Sequence, residues 1–377
     1  MKQKLRFVEH ILQNIRRDDL YRSMRYGSVS GPYITIGARN LLNFCSNDYL
    51  GLTSKVRITP QIQSSSRLVS GNDVSFKKLE KSLASHKSQH SALVFPTGYM
   101  ANLGAISAMV EKNDVILSDE LNHASIIEAC RLSRAKVIVY KHNDMNDLTR
   151  KINSVRKKKT FVITEGVFSM DGDFASLKQI TEITEKNNAV LILDDAHGDF
   201  TIGTDGKGTA SYFGVQKKID VYVSSLSKGL GAFGGYIASE GPVVDLCINR
   251  ARPFIYTSAL PSFLVEMALH RLKQDRTFRQ KKLKENVRLL STGLRQMGYN
   301  ITSPTHIIPI IVGSEKTALD FGKYLYTKGI FVQPIRYPTV PKDSARLRVS
   351  VTAWLTKKHI ESALDAFEKA GRKFGIM

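Results

Sequence analysis

The sequence predicts an α/β protein: a large domain on a mostly parallel central sheet flanked by helices, and a smaller C-terminal α+β domain. From Phe76 onward helical and strand-like patterns alternate, as expected for a parallel sheet with helices on both faces. Residues 161–164 and 190–193 are continuously apolar, as central parallel strands are when both faces are covered. We expect an N-terminal helix and extended segment over 1–45, the large domain over 46–285 and the small domain over 286–377.

Residues 4–25 carry apolar side chains at helical spacing and predict an amphipathic first helix. The alternation then predicts, in chain order, helix 76–88, strand 91–95, helix 99–111, strand 115–118, helix 124–134, strand 136–140, helix 146–156, strand 160–165, helix 176–187 and strand 189–194. After about residue 260 a long helical region leads to strands near 306–312, 330–335 and 345–351, in a short antiparallel or mixed sheet, and to a final helix from 357.

Composition limits the classes of function. A formal net charge of +21 predicts a negatively charged partner, which could be nucleic acid, an acidic protein or a phosphorylated substrate. No nucleic-acid motif accompanies the charge, and the basic run 156–159 falls where a solvated turn is expected, so we predict no nucleic-acid partner. The three cysteines lack metal-ligand spacing, so neither a disulfide framework nor a metal site is predicted. The longest apolar runs span about five residues and the N-terminus lacks a signal-like segment, so we expect a cytoplasmic protein without a membrane span.

The most informative motif is Ser225-Leu-Ser-Lys228, which follows a strand-like run and precedes four glycines in seven residues. Glycine is favoured where the backbone passes close to another group or takes positive φ. The motif therefore fits a lysine prepared for covalent chemistry. Taken alone, it fits a solvated lysine on a flexible loop equally well.

Other strand ends carry chemistry-bearing side chains towards the same edge of the sheet, where ligands of open α/β sheets bind. Asp194 and His197 come at the end of one strand. Asp194 could serve either as the partner of a cationic ring nitrogen or as a helix cap. Gly98 and Tyr99 begin a helix, where free amides and the helix dipole favour phosphate. His123 follows another strand, and a lone histidine is more often structural than catalytic.

Taken together, these groups meet the requirements of pyridoxal 5'-phosphate (PLP). The cofactor needs an amine that forms an imine, an acid that keeps its ring nitrogen protonated, a flat group against its ring and a cradle for its phosphate. Lys228, Asp194, His123 and the 98–99 amides are candidates for these four roles.

The chain closely resembles the α-oxoamine synthases, a family of fold-type I PLP-dependent transferases, over nearly its whole length. The resemblance is carried by the following motifs in the family's order: Asn47-Asp-Tyr-Leu-Gly-Leu52, Ser66-Arg-Leu-Val-Ser-Gly71, Thr97-Gly-Tyr-Met-Ala-Asn102, Leu121-Asn-His-Ala-Ser125, Val167-Phe-Ser-Met-Asp-Gly-Asp173, Asp194-Asp-Ala-His-Gly198 and Ser227-Lys-Gly229.

The resemblance implies a site for each part of the cofactor. Lys228 would form the imine, Asp194 would bind the pyridinium nitrogen, and His123 would stack on the ring. His197 would lie near the phenolic oxygen, and Ser169 beside the ring and substrate. The phosphate contacts would come from Gly98 and Tyr99, from Ser225, and from Thr257 or Ser258 of a second subunit, because the family forms homodimers with shared active sites.

The resemblance also implies the reaction, a decarboxylative condensation of an amino acid with an acyl thioester. Arg348 matches the arginine that grips the amino-acid carboxylate, with Asn47 as its helper, although a strand salt bridge explains an arginine there equally well; Thr339 and Arg22 would be further substrate contacts. The segment 334–341 is most similar to members that join L-alanine to a pimeloyl thioester in biotin biosynthesis. The basic surface would then receive coenzyme A phosphates or an acidic acyl carrier protein.

Three alternatives stay open. Tyr337 moves the segment 334–341 part-way towards the glycine-using members, 2-amino-3-ketobutyrate coenzyme A ligase and 5-aminolevulinate synthase. A non-catalytic partner subunit is the second, although such subunits lack the imine-forming lysine; a nucleic-acid binder, supported by charge alone, is the third. The chain also departs from the family's pattern at residues 63–65 and at Asp199-Phe200, and both departures could reshape the substrate channel.

Overall fold

The computed structural model describes residues 6–53, 64–155 and 158–377, with side chains from residue 11 onward. The predictions that fall on Leu5, Gln63 and residues 156–157 lie outside the described residues. The chain divides into two compact units. We call Asn47–Ser169 with Asp173–Lys281 the large unit, and Met1–Ser46, Met170–Gly172 and Lys282–Met377 the small unit. The domain boundaries expected from the sequence stay predictions.

The strands are β1 (Ser28–Ser30), β2 (Tyr33–Ile36), β3 (Arg39–Asn43), β4 (Ser91–Phe95), β5 (Val115–Asp119), β6 (Lys136–Tyr140), β7 (Thr160–Glu165), β8 (Val190–Asp194), β9 (Val221–Ser225), β10 (Gly235–Ser239), β11 (Ile307–Gly313), β12 (Ile330–Phe331), β13 (Pro334–Ile335) and β14 (Ala345–Ser350). The helices are α1 (Arg6–Arg17), α2 (Val74–Lys87), α3 (Gly98–Met109), α4 (Ala124–Ser133), α5 (Met145–Asn153), α6 (Leu177–Lys186), α7 (Thr209–Phe213), α8 (Gly241–Arg250), α9 (Arg252–Ile255), α10 (Ser262–Leu272), α11 (Thr277–Gln296), α12 (Glu315–Thr327) and α13 (Lys357–Phe374).

The large unit is built on one sheet with strand order β4-β10-β9-β8-β7-β5-β6. The strands β9, β8, β7, β5 and β6 are parallel, which confirms the predicted mostly parallel sheet. Only nine residues separate β9 from β10, and β10 runs antiparallel to both of its neighbours. The reason is geometric, because a parallel return needs a crossover of about a dozen or more residues whereas an antiparallel one needs only a turn.

The core of the large unit lies between the sheet and the helices on its face. Phe95, Ile116, Ile163, Ile192 and Ile237 project from five strands and are fully buried, together with Ile106 of α3 and Ile126 of α4. Burying an aliphatic side chain of this size contributes about 1.5–3 kcal/mol. The apolar strands therefore hold a rigid edge from which polar residues emerge.

The small unit contains two small sheets. The first has the order β1-β2-β3-β12, and the second, β11-β14-β13, is antiparallel as expected. The single strand predicted over 330–335 is wrong: β12 pairs with β3 and β13 pairs with β14, so the segment divides between the two sheets. The first helix ends at Arg17 rather than near residue 25. No helix in the described ranges is long and apolar enough to cross a membrane.

Candidate active site

Lys228 lies in the loop between β9 and β10, at the edge of the sheet where β8 and β9 end. Three backbone hydrogen bonds close the loop: Leu226 N–H to Gly234 O at 2.9 Å, Ala232 N–H to Leu226 O at 2.8 Å and Gly231 N–H to Lys228 O at 2.9 Å. Gly231 and Gly234 have φ values of +64° and +118°, which glycine adopts at little cost. The loop that carries the lysine is thus closed by hydrogen bonds of its own.

A hydrogen-bonded chain orients the lysine. Lys228 Nζ lies 2.8 Å from His197 Nε2, and His197 Nδ1 lies 2.7 Å from the hydroxyl of Tyr49. Tyr49 donates its single proton to Asn47 Oδ1 at 3.0 Å, so its oxygen accepts from His197 Nδ1–H. His197 therefore presents Nε2 as the acceptor that holds Lys228. The sequence predicted Lys228, His197 and Asn47 at the site, whereas Tyr49 was missed.

A second chain joins the predicted ring acid to the predicted ring-stacking histidine. Asn102 Nδ2 donates to Asp194 Oδ2 at 2.6 Å and to Ser125 Oγ at 2.9 Å. Ser125 Oγ lies 2.8 Å from His123 Nδ1, and the Ser125 amide also donates to that nitrogen, so the ring caps the N-terminus of α4. Burial lowers the pKa of His123, Lys228 lowers it further and Asp194 opposes both. The ring is therefore neutral, with its proton on Nε2.

Glu165 is a buried carboxyl group beside Asp194 that the sequence analysis did not single out. It ends β7, is in register with Asp194 on β8 and is 3% exposed. Burial and the neighbouring carboxylate of Asp194 raise its pKa well above the ordinary value, against the opposing effects of Lys228 and the His123 and Ser169 amides. Its Oε1 has no hydrogen-bond partner among the described residues. An acid at the end of a strand with an apolar centre, Phe161-Val-Ile163, was the signal that could have identified it.

The predicted phosphate cradle lies where the start of α3 meets β9 and β10. A Cβ added to Gly235 would lie 2.4 Å from the amide nitrogen of Gly98, and one added to Gly98 would lie 3.1 Å from Ser225 Cβ. The backbone groups therefore approach as closely as glycine permits. Thr97 caps α3 by accepting from the Met100 amide at 3.1 Å, and Tyr99 is 44% exposed in the first turn. The N-terminus of α3 thus lies against Ser225, whose hydroxyl is 2.8 Å from Ser227 Oγ, and a helix N-terminus beside hydroxyl groups suits a phosphate.

The residues present fit PLP. Lys228 supplies an amine, Asp194 a buried carboxylate, and the glycine cradle would be filled by any side chain larger than hydrogen. Asn102 Oδ1 and Glu165 Oε1 are buried polar atoms without a partner in the described part of the chain. Such orphaned atoms next to a lysine and a phosphate cradle indicate a place for a polar ligand.

Ser169 lies in the loop between β7 and α6; it is 6% exposed, and its amide faces Glu165. Thr257 and Ser258 follow α9, and Ser258 is exposed. Their predicted contact with the phosphate of a second subunit stays a prediction.

The other predicted substrate residues belong to the small unit. Arg348 lies on β14 and donates to Ser350 Oγ at 2.9 Å, and Thr339 is exposed with its amide bonded to Arg336 O at 3.0 Å. Arg22 lines a cavity of about 520 Å³ with Arg25, Lys323 and Arg336. Burial and the nearby Arg22 lower the pKa of Arg336. Among the described lining residues none is acidic, so the cavity favours an anionic group.

A buried ion network lies behind the strand end that carries Asp194 and His197. Lys87 Nζ is 3.0 Å from Asp195 Oδ2 and 2.7 Å from Asp199 Oδ1, and all three side chains are at most 1% exposed. Asp199 also pairs with His86 Nε2 at 2.9 Å and accepts from Ser224 Oγ at 2.7 Å. Burial opposes the charge of Lys87, but the two carboxylates outweigh it and raise its pKa. The departure noted at Asp199 is therefore part of a network that fixes the turn after β8.

Comparisons with known proteins identify the family to which the chain is similar. The family model described as aminotransferase class I and II matches residues 39–367. A protein of Thermoanaerobacter pseudethanolicus named 8-amino-7-oxononanoate synthase is 39% identical over 99% of this chain and 98% of its own length. One of Fervidobacterium nodosum with the same name is 37% identical over 99% of both chains. A solved serine palmitoyltransferase from S. paucimobilis with a PLP-myriocin adduct is 26% identical, covers 99% of both chains and has a TM-score of 0.91.

Proposed function

The chain belongs to the class I and II aminotransferase family and, within it, to the α-oxoamine synthases, PLP-dependent acyltransferases, and from that premise we propose that it condenses L-alanine with a pimeloyl thioester, with loss of CO₂, to give 8-amino-7-oxononanoate. The observation that supports this choice most is the 36–39% identity to several relatives named 8-amino-7-oxononanoate synthase, over nearly the full length of both chains. The reaction belongs to biotin biosynthesis, and we propose that it takes place in the cytoplasm.

The proposed mechanism assigns proton transfer to Lys228. PLP, when bound, supplies an electron sink that stabilises negative charge on the substrate α-carbon. His197 Nε2 accepts from Lys228 Nζ at 2.8 Å, so the lysine lone pair is directed away from the histidine. Lys228 would take the α-proton of the substrate. Tyr49 and Asn47 fix the tautomer that makes this possible.

Asp194 and His123 would hold the cofactor ring. Both oxygens of Asp194 accept hydrogen bonds, from Asn102 Nδ2 at 2.6 Å and from the Ala196 amide at 3.0 Å, and these bonds fix the carboxyl group that would face the pyridinium nitrogen. A neutral His123 presents a flat face and avoids placing a second cation near that ring. The amides of Gly98 and Tyr99 and the hydroxyl of Ser225 would hold the phosphate.

The cationic cavity of the small unit supports an anionic acyl donor. Arg22, Arg25, Lys323 and Arg336 would pair with a carboxylate or with the phosphates of coenzyme A or of a carrier protein's prosthetic arm. A net charge of +21 would also attract an acidic acyl carrier protein. Homodimers are typical of the fold, and we propose a homodimer with Thr257 and Ser258 reaching the partner's phosphate site.

The test is turnover of the purified, PLP-loaded protein with L-alanine or glycine, each paired with pimeloyl, acetyl and succinyl thioesters. We expect 8-amino-7-oxononanoate, identified by mass spectrometry, from alanine with the pimeloyl thioester alone. Faster turnover of glycine with acetyl or succinyl thioester would replace the proposal with a glycine-using synthase. Absence of any product, together with absence of a visible band from lysine-bound cofactor, would leave a non-catalytic subunit.

Substitution of Arg348 tests the carboxylate site. In R348K the planar two-bond fit is lost, so we expect the KM for alanine to rise about tenfold or more, with cofactor affinity unchanged. R372K, on the exposed face of α13, is the matched control. An unchanged KM in R348K would contradict the proposed role of Arg348 in binding the amino-acid carboxylate.

A further inference from the structure

Glu165 and Asp194 form a pair of neighbouring buried carboxyl groups at the edge of the sheet. They occupy paired positions on the parallel strands β7 and β8, which lie about 4.8 Å apart, so their side chains leave the sheet on the same face. Glu165 is 3% exposed and Asp194 is 6% exposed. Two such carboxyl groups do not both ionise, because each negative charge disfavours the other in a water-poor site.

The surroundings decide which of the two keeps the proton. Asp194 has a donor on each oxygen, the side-chain amide of Asn102 and the main-chain amide of Ala196, whereas Glu165 Oε1 has no hydrogen-bond partner among the described residues. Glu165 is faced by Asp194, by Lys228 and by the amides of His123 and Ser169. Burial and Asp194 raise the pKa of Glu165 well above the usual range despite the opposing groups. The proton therefore belongs on Glu165.

The unpaired oxygen of Glu165 indicates what the proton is for. A protonated carboxyl has one O–H donor, and Oε1 is buried without a hydrogen-bond partner among the residues that the structure describes. A buried donor without an acceptor is costly, so such groups are normally satisfied by protein, water or ligand. The neighbours of Glu165 are Asp194, Lys228 and His123, the groups that would surround the cofactor ring.

We propose that Glu165 is a neutral carboxylic acid in the working enzyme and that its O–H donates a hydrogen bond to an oxygen atom of the cofactor or of the substrate attached to it. Glu165 is thus a binding residue that recognises a ligand oxygen without placing a second negative charge beside Asp194. The inference concerns the cofactor pocket, and it holds whichever amino acid and thioester the enzyme joins.

A purely structural role for Glu165 makes different predictions. The carboxyl group could serve only to hold the amides of His123 and Ser169, which belong to two different loops. Glutamine retains both an oxygen acceptor for those amides and an N–H donor for a ligand. Leucine has a similar size but retains neither group. If Glu165 were ionised, replacing it by glutamine would remove a negative charge, whereas replacing a neutral Glu165 would leave the charge unchanged.

The first experiment is infrared difference spectroscopy of wild type against E165Q at pH 7, with E182Q, an exposed glutamate of α6, as the control. We expect a carbonyl stretch of a protonated carboxylic acid in wild type and in E182Q that is lost in E165Q. Addition of PLP to the apoprotein should move that band to lower frequency, because donation weakens the C=O bond. Absence of the band in wild type, its survival in E165Q, or its insensitivity to PLP would overturn the proposal.

The second experiment measures the dissociation constant of PLP by titration of apoprotein. E165Q should bind within about twofold of wild type, and E165L should bind about tenfold more weakly, the loss expected for one good hydrogen bond. Wild-type affinity in E165L, or a tenfold loss in E165Q, would overturn the proposal. If E165L does not fold, E165Q and the infrared band still decide the protonation state.

Discussion

Lys87 is the only cation in direct contact with both Asp195 and Asp199 among the described residues, and its removal should be strongly destabilising. Its ammonium group contacts them at 3.0 and 2.7 Å, and the three side chains are at most 1% exposed. At an effective dielectric constant of about 20 each contact corresponds to about 6 kcal/mol of attraction, most of which offsets the cost of removing the charges from water. Breaking such a pair from one side costs about 3–5 kcal/mol, because the carboxylates stay buried without their partner.

K87M keeps the length and apolar stem of the side chain and removes the charge. For a unit the size of the large unit, that loss corresponds to a fall in Tm of about 10 °C, measured by calorimetry on the PLP-saturated protein. The matched control is K77M, an exposed lysine of the same helix, α2. A fall in K87M no greater than that in K77M would refute the reasoning.

A second variant separates charge imbalance from loss of packing. D199N in the K87M background removes one of the two uncompensated carboxylates, so the double variant should be less destabilised than the sum of the two single variants by at least about 1 kcal/mol. Additive losses would show that Lys87 stabilises the protein without its ion pairs, through packing and through the cation–π contact of its Nζ with the Tyr222 ring at 5.1 Å.

Two further predictions follow from named contacts. G235A should weaken PLP binding about tenfold, because the added Cβ would displace the Gly98 amide from the phosphate cradle. The control is G241A, whose Cβ meets no described atom within 4 Å and which should bind PLP normally. Equal PLP affinities in the two variants would contradict the phosphate cradle. For His142, burial lowers the pKa but hydrogen bonds to two aspartates raise it to about 10, so its stabilising contribution is complete below pH 6.5 and is lost as pH rises towards 10. The free energy of unfolding of wild type should therefore fall between pH 6.5 and 10, whereas that of H142Q, which lacks the two ion pairs, should fall less. Parallel pH profiles for the two proteins would contradict the ion pairs.

The helices and strands from α2 to β8 lie within a few residues of the positions predicted from the sequence. The reason is that each has a local signal: continuous apolar runs in β7 and β8, helical spacing between them, and glycines or caps at the ends. The strand β10 lacked such a signal, because Gly235 follows a glycine-rich loop. Only its two neighbours in the sheet make that segment a strand.

The site divides in the same way. Lys228, Asp194, His197 and His123 were predicted because each lies at or just after the end of a recognisable strand, in a recognisable motif. Tyr49 and Asn102 were quoted within motifs but given no role, since their roles depend on hydrogen bonds across about 150 and 90 residues of chain. Such contacts have no local periodicity that a sequence could display.

By itself the sequence determined the class of fold, the requirement for PLP and the residues that present amine, acid and imidazole at strand ends. Only the tertiary structure decided how those groups are charged and oriented. It placed Glu165 beside Asp194, Lys87 between two aspartates, and Tyr49 behind His197. The physical reason is that a protonation state or a tautomer depends on burial and on neighbours distant along the chain, whereas a strand or a glycine-rich turn depends mainly on the residues next to it.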